Sequence, residues 1–389
     1  MKKPISILML FSSFLLVTTG CWDNVELNEQ AIMLAIAMDL EEDGTYQVSA
    51  QFVIPSKLGS AEAGGGEQGE NFFVETGRGK NVYDAIKNMQ PKLSRTIFRG
   101  HRQSIYIGER LAKHGMKDIL DMITRDADVR MRSDISVIKG NQAMEALKIT
   151  YPFETTSALA SIKIHDQFDK AANTAFLDLV IASNSKSTSP SIPAWELVSE
   201  SASQGGEAKK EKRMQAAGSA VFNRELQLVG FLDEVERKDK MWIVGNLSNE
   251  TITVYIPQGH GQVSLDIRDL KSKVHPVLQG NRIKMNVELS GEGEVRQNNT
   301  TFDLMKPHQV EVLEAQLEDY CKNRVSQLIQ KVQKKYGADI FGFGDTIFRR
   351  YPSRGEEMVS KWETEFAQLD VSVNVDLTIR LIGLTGPSD

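Results

Sequence analysis

Two cysteines, six histidines and one crowded run of arginines and aspartates are the residues of this 389-residue chain whose types could do chemistry. Cys321 sits in LEDYCKNRV, inside a helical stretch, where a thiol reads as a half-buried small apolar residue rather than a nucleophile. The histidines, at 101, 114, 165, 260, 275 and 308, form no HxH, no HExxH and no i, i+4 pair. A zinc site needs closely spaced ligands, so no metal is expected. GRGKN at 77–81 fails as a phosphate loop: Val74 stands where the first glycine belongs, and Asn81 where Ser or Thr should follow the lysine. Gly342-Phe343-Gly344 has no third glycine at dinucleotide spacing and follows a helix instead of a strand. No GxSxG elbow occurs. Carboxylates are plentiful, but no spacing places two together for acid–base work. The expectation is a noncatalytic protein with no cofactor.

The run RDADVRMR holds Arg125, Asp126, Asp128, Arg130 and Arg132. Three readings stand: a solvated, self-paired helix end, a recognition surface, or an internal ion-pair hub. Arg125, Asp126, Arg130 and Arg132 are the candidate partner-binding residues.

Cys21 carries the other candidate chemistry. Lys2 and Lys3 form a basic start, Ile5 to Val17 an apolar run, and Thr18, Thr19 and Gly20 a small-residue cleavage site. That pattern is an export signal, and its apolar run is too short for a comfortable membrane span. A cysteine directly after the small residues looks like a lipobox, with Thr18 where Leu is usual. Its thiol would accept a diacylglycerol and Cys21 would become the mature N-terminus. With Cys21 lipidated, Cys321 has no disulfide partner.

The bulk numbers agree with an anchored globular protein. Apolar residues make up 41% and charged residues 25%, which places the chain among globular and not disordered sequences. The formal charge is −6, and loss of Lys2 and Lys3 with the leader makes it −8. That balance argues against nonspecific nucleic-acid binding and against a basic membrane patch. No apolar stretch after residue 21 is long enough to span a bilayer.

The elements predict an α+β chain of three mixed units after the leader at 1–20. The first, 21–182, alternates strands (IMLAIAMDL, TYQVSAQFVI, FFVET, SDISVIKG) with helices (VYDAIKNMQPKL, a pair broken at Gly115, and NQAMEALK with Asn141 as N-cap). A Gly/Ser/Glu loop fills 56–70. Residues 183–213 are rich in Ser, Pro, Gly and Lys and read as a linker. A small α+β unit follows over 214–258. The last unit, 259–389, has two alternating runs, Ile283 to Leu289 and Leu369 to Leu381, around a helix at 307–336. Its apolar stripe is Val310, Leu313, Leu317, Tyr320, Leu328, Val332 and Tyr336. A long helix on one face of an antiparallel sheet is expected.

Taken in order, GCWDNVELNE (20–29), GHRQSIYIGERLAKHGMKDILDMITRDADVR (100–130), GSAVF (218–222) and the LEAQLEDYC-to-KKYGADIFGFG stretch (313–344) resemble the Ger(x)C family, the C subunits of spore nutrient-germinant receptors. The resemblance covers the whole chain. It implies three mixed domains, no enzyme activity, and a palmitoylated, diacylglycerol-bearing Cys21. It also implies a place on the outer face of the spore inner membrane, with integral-membrane A and B subunits as partners. Nutrient recognition in such receptors is attributed mainly to B, so no direct small-molecule ligand is expected. A rival reading is a lipoprotein that captures a solute for a transporter, which predicts two similar lobes around a cleft.

Overall fold

The computed structural model describes residues 26, 29–54, 71–126, 130–151, 153–154, 156–167, 175–204, 207–280 and 282–381. Cys21, the leader and the 56–70 loop lie outside them. The described strands form two sheets.

The first sheet begins with β1 (Gln30–Leu40), β2 (Tyr46–Val53) and β3 (Phe72–Gly79). Then come α1 (Val82–Met89), β4 (Thr96–Phe98), β5 (Ser104–Gly108), α2 (Glu109–His114), α3 (Lys117–Thr124) and β6 (Asp134–Lys139). A 3₁₀ turn (Ala143–Lys148), α4 (Ser157–Asp166) and α5 (Ala175–Asn184) lead to β7 (Ser191–Gln204), β8 (Glu207–Phe222) and β9 (Leu228–Leu232). The strand order is β3-β2-β1-β5-β6-β7-β8-β9, with β4 beside β1. β1, β5, β6 and β7 run parallel. Both faces of these strands are covered, so alternate residues enter different cores. Met33, Ile36 and Met38 pack with Val82, Ile119 and Phe176. Ala35 and Ala37 pack with Leu147, Ala158 and Trp195. Burial on two faces is why IMLAIAM is apolar without alternation.

The second sheet follows α6 (Glu234–Ile243) and contains β10 (Glu250–Ile256), β11 (Gly261–Gln279) and β12 (Arg282–Asn298). After α7 (Pro307–Lys331), α8 (Phe343–Arg350), α9 (Pro352–Val359) and α10 (Trp362–Gln368), β13 (Asp370–Leu381) closes it. α7 continues as a π turn through Tyr336 and stops at Gly337, whose φ of 61° suits glycine. The long helix expected over 307–336 is therefore present. Met285, Val287, Leu289, Val373 and Leu377 bury one face against it.

Four expectations need correction. Residues 183–213 are not a linker: β7 and β8 pair from Ser191–Val221 to Gln204–Glu207. β6 meets β7 only at Val137–Lys139. Past that point the two strands pair with each other alone, and Leu197 with its partner Met214 is the next pair that packs into the core. The unit expected at 214–258 is divided, since β8 and β9 complete the first sheet while β10 opens the second. The C-terminal sheet is mixed, because β13 lies parallel to β12. Alternation reports which face is buried and not which way a strand runs, and a connection through helices favours a parallel return. The buried stripe of α7 runs through Cys321 and Val325, whereas Tyr320 is exposed. Burial pushes the Cys321 thiol up to about 12, which removes it as a nucleophile.

One polar cluster joins the halves, and a second ties the helices of the second half to its sheet. The hydroxyls of Ser185, Ser187 and Thr188 donate to the Asp345 carboxylate at 2.5–3.0 Å. Asp339, fully enclosed nearby, accepts from the backbone N–H groups of Phe341, Phe343 and Gly344 and from Trp362 Nε1. On α7, Arg324 meets Asp239 at 2.6 Å and Glu250 at 3.0 Å. Burial pushes Asp239 up to about 7 against the pull of Arg324. Removing one partner of such a triad would strand a buried charge.

Candidate functional site

Parallel strands give the first sheet two chemically distinct edges. At the carboxyl edge an open cleft of about 880 Å³ is lined by Asp39 and Glu41 to Asp43 after β1, Glu109 to Lys113 after β5, and Gly140 to Gln142 after β6. Crevices outside the carboxyl ends of parallel strands are where α/β sheets commonly hold ligands. Here the charged groups are already engaged. Arg110 meets Glu42 at 2.9 Å and Lys113 meets Glu109 at 2.6 Å. Glu109 also accepts from the Gly140 N–H at 2.7 Å. Asp39 is buried at the cleft floor and accepts from the N–H groups of Ala143 and Met144 at 2.7 and 3.0 Å. Asp39 therefore caps the 3₁₀ turn for which Asn141 was the expected cap. Burial pushes Asp39 up to about 6, although both hydrogen bonds oppose that rise. Gly108 makes room for it: a Cβ there would lie 2.1 Å from Asp39 Oδ1.

The amino edge collects arginines. β4 enters beside Gln30 to Ile32 of β1, so Arg95 lies level with the start of the sheet. Arg99 and Arg102 lie in the irregular stretch between β4 and β5, and Arg130 and Arg132 lead into β6. Ser133 Oγ ties the two stretches together, donating to the carbonyls of Arg130 at 2.7 Å and Arg102 at 3.3 Å. Arg99 meets Asp126 at 3.2 Å, and Arg125 meets Asp121, one turn earlier, at 2.7 Å. Arg102 is only 4% exposed, yet its Nε has no hydrogen-bond partner. Burial lowers its pKa, with Asp126 opposing and Arg99 adding to the shift. Arg130 and Arg132 are exposed, and among the described residues neither guanidinium has a hydrogen-bond or ion-pair partner.

Between the edges a polar seam is sealed under α4. His165 stacks on Trp195 at 4.6 Å and its Nδ1 lies 3.4 Å from Asp134 Oδ2. Tyr106 bonds Ser161 at 2.9 Å. All five residues are at most 3% exposed, so no substrate reaches this His–Asp pair. Among the described residues no three His, Cys, Asp or Glu side chains gather for a metal ion, and no helix is long and apolar enough to cross a membrane.

Of the sequence candidates, Arg125, Asp126, Arg130 and Arg132 fall together at the amino edge, while Cys21 and Asp128 lie outside the described residues. Arg125 and Asp126 pair with Asp121 and Arg99, which lie outside the RDADVRMR run, so these two residues are not paired within it. The sequence reading missed Arg95, Arg99 and Arg102. Their signal was RTIFRGHR, arginines flanking a short apolar strand, but nothing local places that strand beside the RDADVRMR run.

Two family models match in tandem: "Spore germination protein N-terminal domain" over residues 23–197 and "Spore germination B3/GerAC like, C-terminal" over 217–383. Spore germination protein KC of Bacillus subtilis (strain 168) is 27% identical, covering 98% of this chain and 96% of its own. Spore germination protein B3 of the same organism is 22% identical over 96% of each. The solved structure of the GerBC protein superposes with a TM-score of 0.55 at 19% identity, covering 88% of this chain and 96% of that one, which is a likeness of fold.

Proposed function

We propose, from the premise that this chain belongs to the Ger(x)C family of spore germination proteins, that it is the lipid-anchored, noncatalytic C subunit of a spore nutrient germinant receptor. In this reading a diacylglycerol and a palmitoyl group on Cys21 hold it on the outer face of the spore inner membrane. There it assembles with integral-membrane A and B subunits. The observation that carries the reading is the tandem match, which starts two residues after Cys21 and runs through both halves in order. Two acyl chains anchor stably where one is marginal, at about 0.8 kcal/mol per buried methylene. Anchoring also confines the search for membrane partners to a surface. Of the four residues read from the sequence as partner-binding, Arg125 and Asp126 are engaged within the fold, and the exposed Arg130 and Arg132 are proposed to face the membrane in the assembled receptor. The solute-capture reading is less favoured, because the cleft sits at one edge of one sheet and not between two similar lobes.

The test is Cys21→Ala. The variant should leave the membrane fraction and lose labelling by a fatty-acid probe. Labelling that persists in it refutes the anchor. Affinity capture of the wild-type protein from dormant-spore membranes should bring down two integral-membrane proteins.

A further inference from the structure

We infer that the arginine-bearing amino edge of the first sheet is a docking surface for anionic phospholipid headgroups, and that it sets which way the protein faces its membrane. This rests on the proposed anchor at Cys21. Eight residues, and so nine Cα–Cα steps, separate Cys21 from Gln30, where β1 enters the sheet. Their greatest reach is about 30 Å. β1 itself is about 33 Å long, so an anchor at Cys21 cannot draw the carboxyl edge onto the membrane past the far end of that strand. The edge nearest the lipid is therefore the one that holds Arg95, Arg99, Arg102, Arg130 and Arg132.

That edge is built for an anion. Arg130 and Arg132 are exposed without a partner among the described residues, and the Nε of buried Arg102 makes no hydrogen bond there. Met131, between the two exposed arginines, is itself 39% exposed and supplies apolar area at the interface depth. The charge of −8 without the leader makes the local concentration of arginine more telling. Guanidinium groups bind phosphate bidentately, which suits a lipid headgroup. At the carboxyl edge Arg110 and Lys113, which line the cleft, are already paired.

The experiment places the full chain on vesicles of phosphatidylcholine alone or with phosphatidylglycerol. A bimane label at Met131→Cys or at Asn141→Cys then reports quenching by a lipid-borne quencher. Quenching should be strong at 131, weak at 141, and greater with phosphatidylglycerol. Arg130→Glu/Arg132→Glu, checked for folding by circular dichroism, should lower the quenching at 131 while the chain stays anchored. In sedimentation with the anionic vesicles, affinity should fall roughly five-fold per arginine removed. Equal quenching at both positions overturns the inference. So does quenching at 131 that ignores both lipid charge and the arginine reversals. So does a double variant that faces the lipid normally but no longer co-purifies with membrane proteins, which would make the surface a protein contact. If the wild-type chain fails to stay on phosphatidylcholine, the anchor reading has failed by itself. Sedimentation with anionic vesicles then decides the surface: binding that needs Arg130 and Arg132 keeps it, and no binding overturns it.

Discussion

The two edges of the first sheet are made by the same parallel strands, but they handle charge in opposite ways. At the carboxyl edge Arg110 has Glu42, Lys113 has Glu109, and Asp39 has two backbone donors. At the amino edge Arg130 and Arg132 stand open, and buried Arg102 keeps an Nε without a hydrogen bond. A buried polar atom without a partner costs about 1–3 kcal/mol. Charges satisfied within the fold support that fold. Charges left open at a cost to the fold point to something outside it. The open cleft therefore lies at the less promising edge, because concavity alone does not make a site.

The comparison breaks most directly at Gly108. Gly108→Val forces a side chain into Asp39 and should cost on the order of 4 kcal/mol through crowding and lost caps. Thermal unfolding should show a large fall in Tm, and a variant as stable as the parent would mean the carboxyl edge is not tightly packed.

Asp39 offers a second test, through pH. Its folded pKa of about 6 lies above the ordinary 3.8, so its charged form is disfavoured in the native state. The stability tied to its protonated form is complete below pH 4 and is lost as pH rises through 6, a span of about 3 kcal/mol. Urea unfolding of the wild type and Asp39→Asn, from pH 4 to 7, should show the wild type losing ground to the variant as pH rises. A constant difference, or one of opposite slope, would show that burial does not penalise this carboxylate.

The smallest effect has the most informative sign. Arg102→Met removes a buried guanidinium that lacks a hydrogen bond at Nε and should leave stability unchanged or raise it by about 1 kcal/mol. Arg110→Ala, at the other edge, should cost at most about 1 kcal/mol, as exposed ion pairs do. A loss above about 2 kcal/mol in Arg102→Met, read from urea midpoints, would make Arg102 a structural residue and erase the contrast.

Much of the fold was legible because periodicity is a local property. The helix pair broken at Gly115 appears as α2 and α3, and Gly115 has a φ of 126°. The alternation of Ile283 to Leu289 gave a half-buried strand. The 183–213 ribbon was misread because its strands lean on each other, and polar composition in such a ribbon resembles that of a loop. The cap of the 3₁₀ turn was misassigned for a related reason. Asp39 is about a hundred residues from Ala143 in the chain and in hydrogen-bond contact in space.

The sequence by itself determined the class of the protein: a mixed α/β body and the ordered segments of the Ger(x)C family. It also contained the arginines, since composition and spacing can be read one residue at a time. The tertiary structure decided which of them meet. Strand direction, the pairing of β4 with β1 and the tie from Ser133 to both loops bring residues 95–102 and 130–132 to one edge. Those contacts are set by sheet order, which couples residues tens of positions apart and leaves no period in the sequence to announce it.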